Sequence, residues 1–276
     1  MAGLQAPATG QPCILGLEAP RGVSHDSIMP WLFNLFLAVH VGAGVVALLT
    51  FWGAVATRKG GPAHRRWGRV FSAAIYVASA QALGMGALSV VWPLAMHPQL
   101  TDEPLYRGLF GWMMIYLAVL AVSMTRYGLG VVANKGRHEA NRHWSMVALQ
   151  LAVFATGLNC LVHGVLLGQP LMIGISLLGF GTSTTYMHYM FRSNVARGDY
   201  VPEHLKAMVA CGIAAYTAFL SVGLVDMFPD QAFNPVIWAV PTVLGMWIII
   251  HHLRIWGTPA RRQSGSLAPG RLPAAR

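Results

Sequence analysis

Charge is scarce in this sequence, and acid is scarcest of all. Only 10% of the 276 residues are charged, with 9 Asp and Glu against 19 Lys and Arg. A soluble domain carries about 25% charged residues. So few charges cannot coat a water-facing surface, which excludes an ordinary cytosolic globule and makes nucleic acid a poor partner for the formal charge of +10. Cysteine is equally thin. Cys13, Cys160 and Cys211 form no CxxC pair and no zinc spacing, so neither a disulfide scaffold nor a zinc ribbon is encoded. Cys160 and Cys211 lie in apolar runs, where a thiol is a small core residue. Several catalytic signatures are missing as well. HExxH, GxxxxGK[ST] and GxSxG do not occur, and without CxxCH covalent haem attachment is excluded.

What the chain has in abundance is hydrocarbon, at 55% of residues. A bilayer core about 30 Å thick needs roughly 20 apolar residues of helix. Seven stretches meet that need: 32–56, 70–92, 109–125, 144–167, 171–191, 207–225 and 236–255. The third is the shortest and begins a turn earlier if helix extends back to Leu105. None contains Asp, Glu or Lys, and Arg254 at the end of the seventh is the only Arg. The fold class expected is an all-α polytopic membrane bundle of seven transmembrane helices. Gly168 to Pro170 sets a tight hairpin between the fourth and fifth.

Basic residues give the orientation. The segments 57–69, 126–143 and 192–206, with the C-terminal end, hold 17 Lys and Arg, whereas the opposite side holds Arg21 and Arg107. The positive-inside rule then puts the N-terminus outside and the C-terminus in the cytoplasm of a bacterial inner membrane. Residues 1–28 lack the basic start of a signal peptide and read as a disordered extracytoplasmic tail. Residues 29–256 form the membrane domain, and the Pro-, Gly- and Ser-rich 257–276 read as a disordered cytoplasmic tail. The partner implied first is the lipid bilayer, with anionic headgroups against the basic edge.

Three spans open on related edges: His64-Arg65-Arg66-Trp67-Gly68-Arg69-Val70, Asn141-Arg142-His143-Trp144, and His204-Leu205-Lys206-Ala207-Met208. These suggest hairpin units of spans one–two, three–four and five–six with a closing helix, although basic and aromatic residues are also what any cytoplasmic boundary carries. His40 with Gly44, Ala47-Leu48, Gly60-Gly61 and the His64 edge, followed by His204 and Met208, resembles a bacterial multi-pass membrane family catalogued as domain of unknown function 2306. The resemblance covers roughly residues 35–225. It departs at span seven, and where His204 is followed by Leu205-Lys206. It implies the membrane class and a histidine-centred site, and supplies no reaction.

Eleven His against nine acids is the unusual feature. An ionisable side chain inside a membrane is a functional hypothesis by default. His40 sits about 13 Å below Trp31, at 1.5 Å of rise per residue. Thr156, Asn159 and His163 share one helix face. His188, with Thr184 and Thr185 one turn away, matches His251 and His252 in depth near the cytoplasmic side. Two imidazoles on different helices at one depth are what a b-type haem requires. The expected cofactor residues are therefore His188 with His251 or His252, and His40 with His163, although the second pair differs in depth by about two turns. His64, His138, His143 and His204 read as boundary residues tolerated among headgroups. Three functions follow as expectations: a membrane protein of unassigned role whose His are structural or hold a small ligand, a b-haem electron carrier or reductase subunit, and a small-solute permease or channel lined by Thr156, Asn159, His163, Thr184 and Tyr186. Ala74, Ala78, Ala82 and Gly86 form a small-residue seam for close helix approach.

Overall fold

The computed structural model describes residues 25–96, 102–220 and 235–255. Among these residues there is helix and no strand. The long helices are α1 (His25–Ala56), α2 (Pro62–Val91), α5 (Met113–Ala133), α6 (Trp144–Leu166), α7 (Pro170–Phe191), α8 (Tyr200–Ala218) and α9 (Pro235–Ile255); short α3 (Pro93–Met96) and α4 (Glu103–Tyr106) lie between α2 and α5. Each predicted span overlaps one of these helices. A π-helical turn, Arg107–Trp112, joins α4 to α5 without a break, so the third predicted span starts at Glu103. The two predicted tails lie outside the described residues, apart from His25 to Ile28, which already belong to α1.

The turns follow from local chemistry. Gly60 and Gly168 hold φ of +75° and +61°, a region costly for residues with a Cβ. Pro62 and Pro170 then open α2 and α7, where a missing N–H costs nothing. The tight hairpin expected at 168–170 is present, and α6 packs along α7. At the α5–α6 link, Asn134 donates to buried Asn141 at 3.0 Å. His143 Nδ1 accepts from Ser145 N–H and caps α6.

Helix α5 is the hub. Its neighbours are α2, α6 and α8; α1 lies along α2 and touches α8, and α9 packs on α8. The reason is its stripe of Tyr116, Leu120, Met124, Tyr127 and Val131, all buried at helical spacing. The α2 seam of Ala74, Ala78, Ala82 and Gly86 is buried as expected. A Cβ on Gly86 would lie 3.2 Å from the Gly111 carbonyl oxygen, so glycine there lets the π turn approach α2. The pairing of spans five and six is replaced: α8 packs on α5, α1 and α9.

Polarity is inverted relative to a water-soluble bundle. Ser123, Thr125, Gln150, Ser176 and Ser183 are fully buried, while Leu49 is 70% exposed, Leu166 76% and Val243 67%. Among the described residues four helical segments are long and apolar enough to cross a membrane: Pro30–Ala56, Pro62–Val91, Glu103–Ala133 and Trp144–Leu166. The second half of α7 carries Thr182, Ser183, Thr184, Thr185 and His188, and α8 opens with Glu203, His204 and Lys206. Those polar residues keep both helices below the same mark.

Candidate functional site

The five histidines expected to bind a cofactor do not assemble in the expected pairs. His40, half-buried, directs Nδ1 at the Ala78 carbonyl 2.8 Å away on α2. The small seam residue is what lets the ring reach that backbone. His163 turns Nδ1 onto Asn159 O of its own helix at 2.9 Å and packs its ring 5.7 Å from Trp112. His188 is exposed on α7. His251 stacks on Trp247 at 5.2 Å, and His252 bonds Ile248 O at 2.9 Å. Among the described residues, no hydrogen bond or ring contact joins His188 to His251 or His252, or His40 to His163. Thr185 Oγ1 is spent on Thr182 O and does not reach His188. The predicted stripe Thr156, Asn159 and His163 does share a half-buried face. Thr184 faces outward while Tyr186 is buried, so those two do not line one path.

The structure instead joins two residues read as boundary histidines. His64 in the first turn of α2 and His204 near the start of α8 have ring centroids 6.3 Å apart, with planes at 77°. His64 Nδ1 lies 3.0 Å from Ala54 O at the end of α1, and His204 Nδ1 lies 2.7 Å from Gly128 O on α5. A carbonyl only accepts, so each Nδ1 carries a proton and the neutral form of each ring keeps its lone pair on Nε2. Burial, the larger influence, holds the His204 pKa below the usual histidine value. The Gly128 carbonyl opposes that shift and neighbouring His64 adds to it. The pair is therefore two imidazoles oriented through Nδ1. Lys59 donates to Ala54 O and Val55 O, so the same α1 terminus is capped by a cation and an imidazole.

Beside the pair lies a network that the sequence pattern did not reveal. Glu203, next to His204, is buried and takes the Tyr127 hydroxyl at 2.8 Å and the Lys206 ammonium. Tyr127 stacks on Tyr186 with centroids 3.8 Å apart, and Tyr189 meets Tyr127 edge-on. Deeper in, Gln150 Oε1 accepts from Ser123 at 3.1 Å and Ser183 at 2.9 Å, leaving its buried Nε2 without a partner. One sequence signal does mark the network: Glu203, His204 and Lys206 are crowded into the first two turns of one otherwise apolar helix.

The donor set limits the chemistry. Among the described residues no cluster of three or more His, Cys, Asp or Glu stands ready to hold a metal ion. Two protein nitrogens suit a metal whose remaining positions come from a macrocycle. The Nδ1–H to carbonyl contacts are the supports that fix tautomer and ring orientation in such ligands. Comparison with protein-family models, curated proteins and solved structures finds no match.

Proposed function

We propose that this chain is a seven-span protein of the bacterial cytoplasmic membrane, N-terminus outside and C-terminus inside, that carries electrons through a b-type haem held by His64 and His204. One observation carries the reading: two imidazoles from different helices, both pinned through Nδ1, 6.3 Å apart at the basic end of the bundle. The haem supplies one-electron redox chemistry when bound. The chain's own part is to orient the nitrogens. Helices α1 and α5 do so, because their carbonyls hold the Nδ1 protons and leave each Nε2 to face the ligand. Arg58, Arg65, Arg66 and Arg69 crowd the same end, where cations complement the carboxylates of a porphyrin. The two histidine-bearing edges that carry the family resemblance are the two that meet. Among the described residues no second pair stands at the opposite depth, so the reading is electron exchange on the cytoplasmic side.

The test is visible spectroscopy on detergent-solubilised protein from cells supplied with haem precursor. A Soret band and dithionite-sensitive α band are expected, lost in His64→Ala and in His204→Ala and kept in His188→Ala. Colourless protein, or full pigment in both alanine variants, rejects the assignment.

A further inference from the structure

A second site lies at the same end of the bundle, apart from the histidine pair. A cleft of about 510 Å³ opens between the 3-10 turn His138–Arg142 and the chain leaving α7. Arg137, His138, Glu139, Arg142, Ser193 and Val195 line it. Its charge is lopsided, with two guanidiniums and an imidazole against one carboxylate. His138 is the informative residue. Both of its ring nitrogens are buried without a partner, although the ring is held edge-on against Tyr189 at 4.9 Å. A buried polar group that no protein atom satisfies needs a ligand or a solvent molecule.

The walls are fixed in advance. Arg142 donates through Nε to Met190 O at 2.8 Å and lies over the Phe191 ring, 5.9 Å from its centroid. That arginine ties the 3-10 turn to the end of α7. Arg137 is exposed and free to close on an anion. Trp144, two residues past Arg142, Phe191 beneath its guanidinium, and Leu151 two turns along α6 from Trp144 are all exposed apolar side chains. An anion pocket beside an acyl-binding face at a basic membrane edge fits a lipid with a negative headgroup.

We infer that this cleft binds the phosphate headgroup of an anionic phospholipid, with Arg137 and Ser193 donating to the phosphate oxygens, His138 turning its buried ring out of the cleft wall to join them, and the acyl chains directed at the exposed Trp144, Leu151 and Phe191. Arg142 acts as a positioning residue. The test uses the full chain, stripped of lipid in detergent and titrated with phosphatidylglycerol, phosphatidylcholine or inorganic phosphate, with binding read by native mass spectrometry and thermal shift. Phosphatidylglycerol is expected to bind and stabilise, and phosphatidylcholine to do neither. Loss of one charge-assisted contact in Arg137→Gln or His138→Gln is expected to weaken binding roughly tenfold. Arg137 is on the surface, so its variant folds even if the His138 variant does not. Arg254→Gln removes an exposed basic charge elsewhere and is expected to bind normally. Inorganic phosphate matching the lipid overturns the lipid assignment in favour of a soluble anion. Equal binding in Arg137→Gln, or equal weakening in Arg254→Gln, overturns the cleft. Neither result bears on pigment binding by His64 and His204.

Discussion

His204 shows how much one backbone carbonyl decides. Its ring is half-buried against α5 with Nδ1 on Gly128 O, and desolvation, which lowers its pKa, outweighs that bond, which raises it. The folded chain therefore binds fewer protons at this site than the unfolded chain, whose histidine titrates near 6.5. Where the unfolded state holds more protons, stability rises with pH. The contribution is complete above about pH 6.5 and is lost as pH falls through the lowered folded value. Thermal unfolding in detergent between pH 8 and pH 5 is expected to reveal a loss below about 6.5 that shrinks in His204→Gln; parallel curves for the two proteins would contradict it. Individual residues are the least legible level of the sequence. His64 and His204 stand in matching edges, yet a histidine at a headgroup boundary has an innocuous explanation, and only the packing of α2 and α8 around α1 and α5 brings the rings together. Glu203 is hidden for the opposite reason. It lies just outside an apolar span, where a carboxylate is expected to face water, but Tyr127 and Lys206 satisfy it inside.

Elements are far more legible. Apolar runs of about 20 residues, the length a bilayer core requires, coincide with the long helices, and Gly168 with Pro170 locates the α6–α7 hairpin because glycine permits the positive φ of the turn and proline fixes the φ of the first helical turn. The partners of each helix are not legible. Lipid and protein neighbours are equally apolar, so hydropathy does not say which face meets which. Small residues mark close approach, and they offer a test at this scale. A Cβ on Gly164 of α6 would fall 2.8 Å from Met172 Cβ and 3.1 Å from the backbone nitrogen of Ile173 on α7. Neither is the loose end of a flexible chain, so the hairpin must open. Gly164→Ala is expected to destabilise by about 1–3 kcal/mol in detergent unfolding, as overpacking does. Gly174→Ala is expected to be tolerated, since nothing lies within 4 Å of its added Cβ. Equal stability of the two variants would contradict the close approach of α6 to α7 at Gly164.

At the scale of the whole molecule the deciding helix is α7. It falls outside the four segments apolar enough to span on composition alone. Composition counts each hydroxyl as exposed, whereas the bundle accounts for them. Ser183 donates to Gln150, Thr182 to Leu178 O and Thr185 to Thr182 O. A hydroxyl that closes its hydrogen bond within the helix or against a neighbour no longer demands water. On that argument α7 is expected to cross a membrane despite its polar half, and the contrast between the uncharged turn at 167–170 before it and the basic 192–206 after it agrees. Single cysteines in a background lacking Cys13, Cys160 and Cys211 decide the matter. With an impermeant thiol reagent on spheroplasts, Gln169→Cys is expected to react, and Ala63→Cys, Gly136→Cys and Ser193→Cys to react only in inverted vesicles. Between 136 and 193 lie α6 and α7, with 169 in the turn between them, so this pattern of labelling arises only if both cross, and it requires α2 and the continuous α4–α5 segment to cross together or not at all. Should Ser193→Cys react alongside Gln169→Cys from outside, α7 does not span. The cleft at Arg137, His138 and Ser193 would then need two faces of the membrane at once, which its closed hydrogen bond from Arg142 to Met190 forbids.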